Sequence, residues 1–177
     1  MITAENLKWI NPSIRQRSIS SENCIRVIKA KEQYNMDCVN PTKIIKLVNE
    51  YLDSLHMLPI ENPQKEPKDR ELRRFDYAKY KKIYKLKDKR DIVWIKFTKN
   101  KQHIGVIGTG CDINFNYNTT SGKIISYLNE TWYEKNVLIF PLINIPDGLN
   151  RSDIESGIGN YLISKNIPIL DFYSHNF

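Results

Sequence analysis

Four acidic side chains and one imidazole fall within the last 42 residues, NVLIFPLINIPDGLNRSDIESGIGNYLISKNIPILDFYSHNF, at positions suited to carboxylate chemistry. Asp147, Asp153 and Glu155 lie between an apolar run and an amphipathic stretch. In open α/β sheets ligands gather at the carboxyl ends of strands, where loops and helix N-termini converge. An acid placed there can polarise a ribose hydroxyl, hold a cation such as Mg²⁺, or attack a glycosidic carbon. The same residues also have a purely local reading. Ser152-x-x-Glu155 has the spacing of a capping box, and Asp153 in a first helical turn favours the helix dipole. Further on, Asp171, Tyr173 and His175 share one face of an extended strand. An Asp–His pair can act as a general base or a metal site, and a histidine near a chain end can equally stand exposed.

A second constellation is basic. Of the 27 Lys and Arg, 15 fall between Lys65 and His103 against 6 Asp and Glu, a local balance of +9. The rest of the chain carries 12 basic and 14 acidic side chains, or −2. All of the surplus behind the net charge of +7 therefore sits in one segment. There Arg70, Arg73, Arg74, Lys79, Lys81, Lys82, Lys85, Lys87, Lys89 and Arg90 interleave with Phe75, Tyr77, Tyr80, Tyr84, Trp94 and Phe97. Cations that neutralise phosphates and rings that stack on bases are the two ingredients of a nucleic-acid surface. Rings in a core beneath lysines that only solvate its outer face would give the same composition.

The elements that must position these residues follow from pattern. Ser20 to about Tyr34 reads as a helix. Asn40-Pro41 is a cap followed by proline at a first helical position, and Ile44, Ile45, Val48, Tyr51, Leu52 and Leu55 form one helical face. This predicts a helix from Pro41 to about His56. Pro59, Pro63 and Pro67 then interrupt regular structure. KKIYKL, DIVWIKF and HIGVIGTG read as three antiparallel strands of a meander, the middle one central because it is apolar on both faces. Thr120 or Ser121 caps a helix with Ile124, Ile125, Leu128 and Trp132 on one face. NVLIFPLI reads as a buried parallel strand. A helix with Ile154, Ile158, Tyr161 and Leu162 inward follows, then the strand IPILDFY. Glycine inside that helix, at 157 and 159, suits close approach of a neighbouring element. The expected fold is α/β with α+β character. N-terminal helices (residues 1–64) precede a basic antiparallel meander and a C-terminal αβαβ portion in one mixed sheet (65–177), the whole packed as one compact domain.

Two likenesses bear on this. The buried strand, the loop with Asp147, the helix with Ser152, Glu155 and Gly157, and the turn with Lys165 and Pro168 resemble the end of nucleoside deoxyribosyltransferase-like and related Rossmann-type folds. That resemblance implies a helix glutamate, here Glu155, working at the anomeric carbon of a nucleoside. It covers about 40 residues, and no GxGxxG or GxxxxGK[ST] accompanies it. The element order also resembles the restriction-endonuclease-like core, whose acids hold Mg²⁺ while a lysine supports the attacking water. Asp91, Lys96 and Asp112 are the residues here that could stand for that signature, and the strand at 103–108 has no acid-x-Lys.

Composition narrows the classes. No run of about 18 apolar residues exists, which argues against a membrane helix. The N-terminus lacks the apolar core of a secretion signal. Three cysteines without a CxxC pair suit a reducing cytoplasm. A Lys-, Ile- and Asn-rich chain also suits an AT-rich genome, a phage origin included. The expectation is a cytoplasmic protein that meets DNA or RNA, as a metal-dependent nuclease of mobile-element or defence type with Asp112, Asp147, Glu155 and His175 as candidate catalytic residues. The alternatives are a nucleoside or nucleotide enzyme acting at a glycosidic bond through Glu155, and a non-enzymatic inhibitor or adaptor docking on a protein partner through its basic face.

Overall fold

The computed structural model describes residues 21–57, 64–65, 91–110, 120–142 and 144–171. Its elements are α1 (Ile25–Tyr34), α2 (Pro41–Ser54), β1 (Gln64–Lys65), β2 (Ile92–Thr98), β3 (Ile104–Gly110), α3 (Thr120–Tyr127), β4 (Trp132–Pro141) and α4 (Arg151–Ser164). Helices and strands are mixed, with α+β character. The strand expected at KKIYKL lies outside the described residues.

Local chemistry sets the helix bounds. Asn40 Oδ1 accepts from the Thr42 N–H at 2.8 Å ahead of Pro41, so α2 starts where the cap and the proline require. It stops two residues short of His56, which takes a left-handed φ of 57° while the Met57 N–H returns to the Leu52 carbonyl at 3.0 Å. The α4 cap differs from the sequence expectation. Asn150, not Ser152, is the cap: its side chain accepts from the Ser152 and Asp153 N–H groups, and the Asp153 carboxylate accepts from the Asn150 N–H at 2.8 Å. Asn150 is itself extended, so Asp153 rather than Glu155 occupies the third helical position that a capping box needs. Trp132, expected on the face of α3, opens β4 opposite Thr98, because Asn129 takes a left-handed φ of 53° and turns the chain out of the helix.

The sheet runs in the order β1-β4-β2-β3, and every pairing between these strands is antiparallel. β2 is central, as its two apolar faces require. The expected parallel neighbour of β4 is corrected here: β4 pairs antiparallel with β2, Ile92 opposite Pro141 and Lys96 opposite Val137. The C-terminal run meets the sheet at the far side of β3, where Ile169 makes a single parallel bridge to Ile104. Since β3 and β4 both run antiparallel to β2, β4 and the run at Ile169 point the same way. Of the β-α-β unit read from the sequence, β4 and α4 form, but the expected strand IPILDFY gives among the described residues only this one bridge before the chain turns at residues 170–171, and the β2–β3 hairpin lies between β4 and the bridge. Even the proline-interrupted segment contributes, because Gln64 and Lys65 pair with Ile139 and Leu138.

Helices cover both faces of the sheet. On one, Val93, Ile95, Phe97, Ile107, Leu138 and Phe140 pack with Ile44, Val48 and Leu52 of α2 and Ile154, Ile158 and Leu162 of α4. On the other, Val106, Trp132 and half-buried Trp94 meet Val27 and Ala30 of α1, Ile124 and Ile125 of α3, Leu128 and Leu170. The α2–α4 contact explains Gly157. A Cβ there would lie 1.7 Å from the Tyr51 hydroxyl oxygen, so the close neighbour is a side chain of the other helix.

Candidate functional site

Strand direction decides which acids can meet. β2 enters, β3 leaves and β4 leaves at one end of the sheet, where Ile92, Gly110 and Pro141 lie in register. Asp91 precedes β2 at this end, and the chain after β4 runs through Asp147 into α4. Arg151, at the start of α4, reaches Asp91 with Nη1–Oδ1 at 3.5 Å across a partly exposed gap. Asp147 is exposed in a turn with Gly148, whose φ of +83° only glycine adopts without strain. Asp153 is committed to the cap, and it also raises the pKa of the Tyr51 phenol, secondary to that group's burial. Glu155 is half-buried, one turn further along α4. Asp112 lies two residues beyond the end of β3 in the chain, outside the described residues, as do His175 and the basic positions Arg70, Arg73, Arg74, Lys79, Lys81, Lys82, Tyr84, Lys85, Lys87, Lys89 and Arg90.

Two expected groupings do not form. Asp171 sits at the opposite end, where its N–H donates to the Gly105 carbonyl at 3.0 Å near the start of β3. A seven-residue strand separates it from the Asp147 loop, roughly 20 Å at strand rise. Its carboxylate is 1% exposed and paired with the Arg26 guanidinium of α1. Asp171 is therefore an internal structural acid. Likewise Asp91 and Lys96 do not belong to one site. Asp91, just before β2, reaches Arg151 of α4, whereas Lys96, roughly 17 Å further along, turns toward Trp94 and Trp132 on the opposite face.

Lys96 instead enters the α1/α3 face. It is 3% exposed, with its ammonium 4.8 Å from the centroid of the Trp94 ring and 5.1 Å from that of Trp132. Burial lowers its pKa to about 8. Gly108 and Gly105 make room for the indoles: a Cβ on either would come within 2.3 Å of a ring carbon. Gly105 and Gly108 of HIGVIGTG were the available signal for this arrangement; they mark close ring approach.

The groups that sequence reasoning missed cluster where α1 meets the β2–β3 turn. Glu130, 4% exposed, accepts from the Tyr34 hydroxyl at 2.9 Å and from the Asn100 and Lys101 N–H groups at 3.0 and 3.1 Å. Lys101 Nζ donates to the Tyr34 carbonyl at 3.1 Å and lies 4.1 Å from the centroid of the Tyr34 ring. Nothing in the local sequence around Glu130 announces these partners, because they come from two other elements. Among the described residues no three His, Cys, Asp or Glu side chains converge as metal ligands, and no helix is long and apolar enough to cross a membrane.

Against known proteins, no family model, curated protein or solved structure matches the chain.

Proposed function

We propose that this is a polyanion-binding protein acting in the cytoplasm, with DNA or RNA as its partner, of mobile-element or defence type. One observation carries the reading: residues 65–103 hold a balance of +9, against −2 for all the rest. Such a concentrated surplus is what neutralising a row of phosphates calls for. Its described part supports the reading, since Lys99 stands exposed on the β2–β3 turn. Filter binding of the full chain to DNA and RNA at 50 and 200 mM salt tests it. Affinity falls by an order of magnitude or more between the two, in line with several phosphate contacts. Salt-insensitive binding, or none, removes the reading.

Within this reading the protein is a Mg²⁺-dependent nuclease that draws its acids from the sheet end where Asp91 and Asp147 emerge, with Asp112, two residues after β3 in the sequence, as a further candidate. Plasmid cleavage with Mg²⁺ or Mn²⁺, abolished in Asp112→Ala, tests this step. Binding without cleavage assigns the chain to the inhibitor or adaptor class, with a protein partner docking on the basic face. A second reading, chemistry at a nucleoside glycosidic bond through Glu155, is favoured by one observation: Glu155 is half-buried on α4, two residues past the Asp153 that closes the cap. Thermal shift with nucleosides and nucleotides, compared with Glu155→Gln, tests it. No shift with any ligand excludes it.

A further inference from the structure

His103 opens the short segment before β3 and is 2% exposed. Its Nε2 lies 2.7 Å from the Met36 carbonyl oxygen, on the chain that leaves α1. Since a carbonyl only accepts, Nε2 carries the proton and donates, and Nδ1 keeps a lone pair. Nδ1 is buried and has no hydrogen-bond partner among the described residues. The ring lies against Tyr34 with centroids 5.6 Å apart and planes tilted by 37°, and the His103 N–H and C=O are held by Thr98 across the turn. The neutral ring therefore fits this place, and its protonated form does not: a second N–H at Nδ1 would face no acceptor in a buried site.

We propose that His103 is a pH-sensitive latch, which when neutral clamps residues 34–38 after α1 against the β2–β3 turn and when protonated lets them part. The charges around it are named by the elements packed there. Lys101 on the turn opposes protonation, while Glu130 before β4 and Asp37 after α1 favour it. Burial is the largest influence, and the outcome is a pKa below the ordinary histidine value. The sign follows. The released ring binds a proton at higher pH than the latched one, so the latch is fully closed above about pH 6.5 and weakens as pH falls toward the latched value. Opening has a defined consequence at the end of the basic segment. Lys101, tied to the carbonyl and ring of Tyr34 when the latch is closed, becomes free to meet an anion.

Hydrogen exchange on the full chain at pH 8, 7, 6 and 5 tests the latch, with protection corrected for intrinsic exchange. The reporters are the Met36 amide, bonded to the Gln33 carbonyl, and the Asn100 and Lys101 amides, bonded to Glu130. Their protection falls by up to about tenfold per pH unit below 6.5, the limit for one linked proton. In His103→Gln, which retains a donor for the Met36 carbonyl but cannot titrate, that added slope is absent. Equal slopes in the two proteins overturn the proposal. A histidine NMR titration of the unaltered protein decides independently of how well the variant folds: His103 titrating at an ordinary value, with protection unchanged across it, also overturns it.

Discussion

The two faces of the sheet are held by different physics. Toward α2 and α4 the buried surface is almost wholly hydrocarbon, from Ile44 and Leu52 through Phe97 and Phe140 to Leu162. Toward α1 and α3 the apolar cluster is smaller, and buried charges or polar groups share the space: Arg26, Lys96, His103, Glu130 and Asp171. The first face gains its stability from area removed from water, which is indifferent to pH and to exact orientation. The second depends on partners. Tyr34 and two turn amides satisfy Glu130, Asp171 answers Arg26, and two indoles surround Lys96. A sheet can thus carry a permissive face and an exacting one, and the exacting face is where pH and charge can act.

Breaking the exacting face at its ion pair has the largest effect. Arg26→Met leaves the Asp171 carboxylate buried without its guanidinium and costs about 3–5 kcal/mol in denaturant unfolding at pH 7. On the permissive face, Leu162→Ala costs about 3 kcal/mol through lost burial and a cavity. Between pH 5 and 8 this loss stays constant, and a pH-dependent loss would erase the distinction between the faces.

Lys96 sharpens the comparison in the alkaline range. Its folded pKa of about 8 lies below the 10.5 of a free lysine. The unfolded chain therefore binds the extra proton between those values, and stability rises with pH there. Relative to Lys96→Met, the unaltered protein gains about 3 kcal/mol from pH 8 to 10.5, from the 2.5-unit difference. Unfolding curves at three pH values measure this, and a flat difference contradicts it. The smallest effect concerns the α2–α4 contact. Gly157→Ala forces Tyr51 aside and costs about 1–2 kcal/mol, despite the better helix propensity of alanine. In a Tyr51→Leu background the same change stabilises by up to about 1 kcal/mol, so the double-mutant cycle changes sign.

What could be read from the sequence was whatever a short window determines. Asn40-Pro41 marked the α2 start, the helical face from Ile44 to Leu52 marked its burial, and the two apolar faces of DIVWIKF marked a central strand. Glu155 carried two readings, a candidate catalytic acid and a capping residue with the right spacing from Ser152. That spacing could not reveal that Asn150 caps one step earlier, since the choice depends on the extended backbone of Asn150. The neighbour of β4 was misjudged for a similar reason. An apolar run shows burial on both faces, but not whether the strand beside it arrives through a hairpin or a helix. As for the site, the acids at one end of the sheet were legible by type. Their sorting was not: Asp171 went to the far end and into an ion pair, and Lys96 to the other face from Asp91. Glu130 and His103 gave no signal because their partners lie 29 to 96 positions away.

The arms of the β4–α4–Ile169 connection straddle the β2–β3 hairpin, and this has a consequence for the order of assembly. The C-terminal run cannot find its edge until β3 is in place, and α4 must cross a hairpin that already exists. The Arg26–Asp171 pair then joins positions 145 residues apart, among the most distant in the chain. Contacts of such separation form after the entropic cost of closing the chain has been met. Damage to this pair should therefore leave the refolding rate nearly unchanged and appear as faster unfolding, the C-terminal run being the first part to peel away.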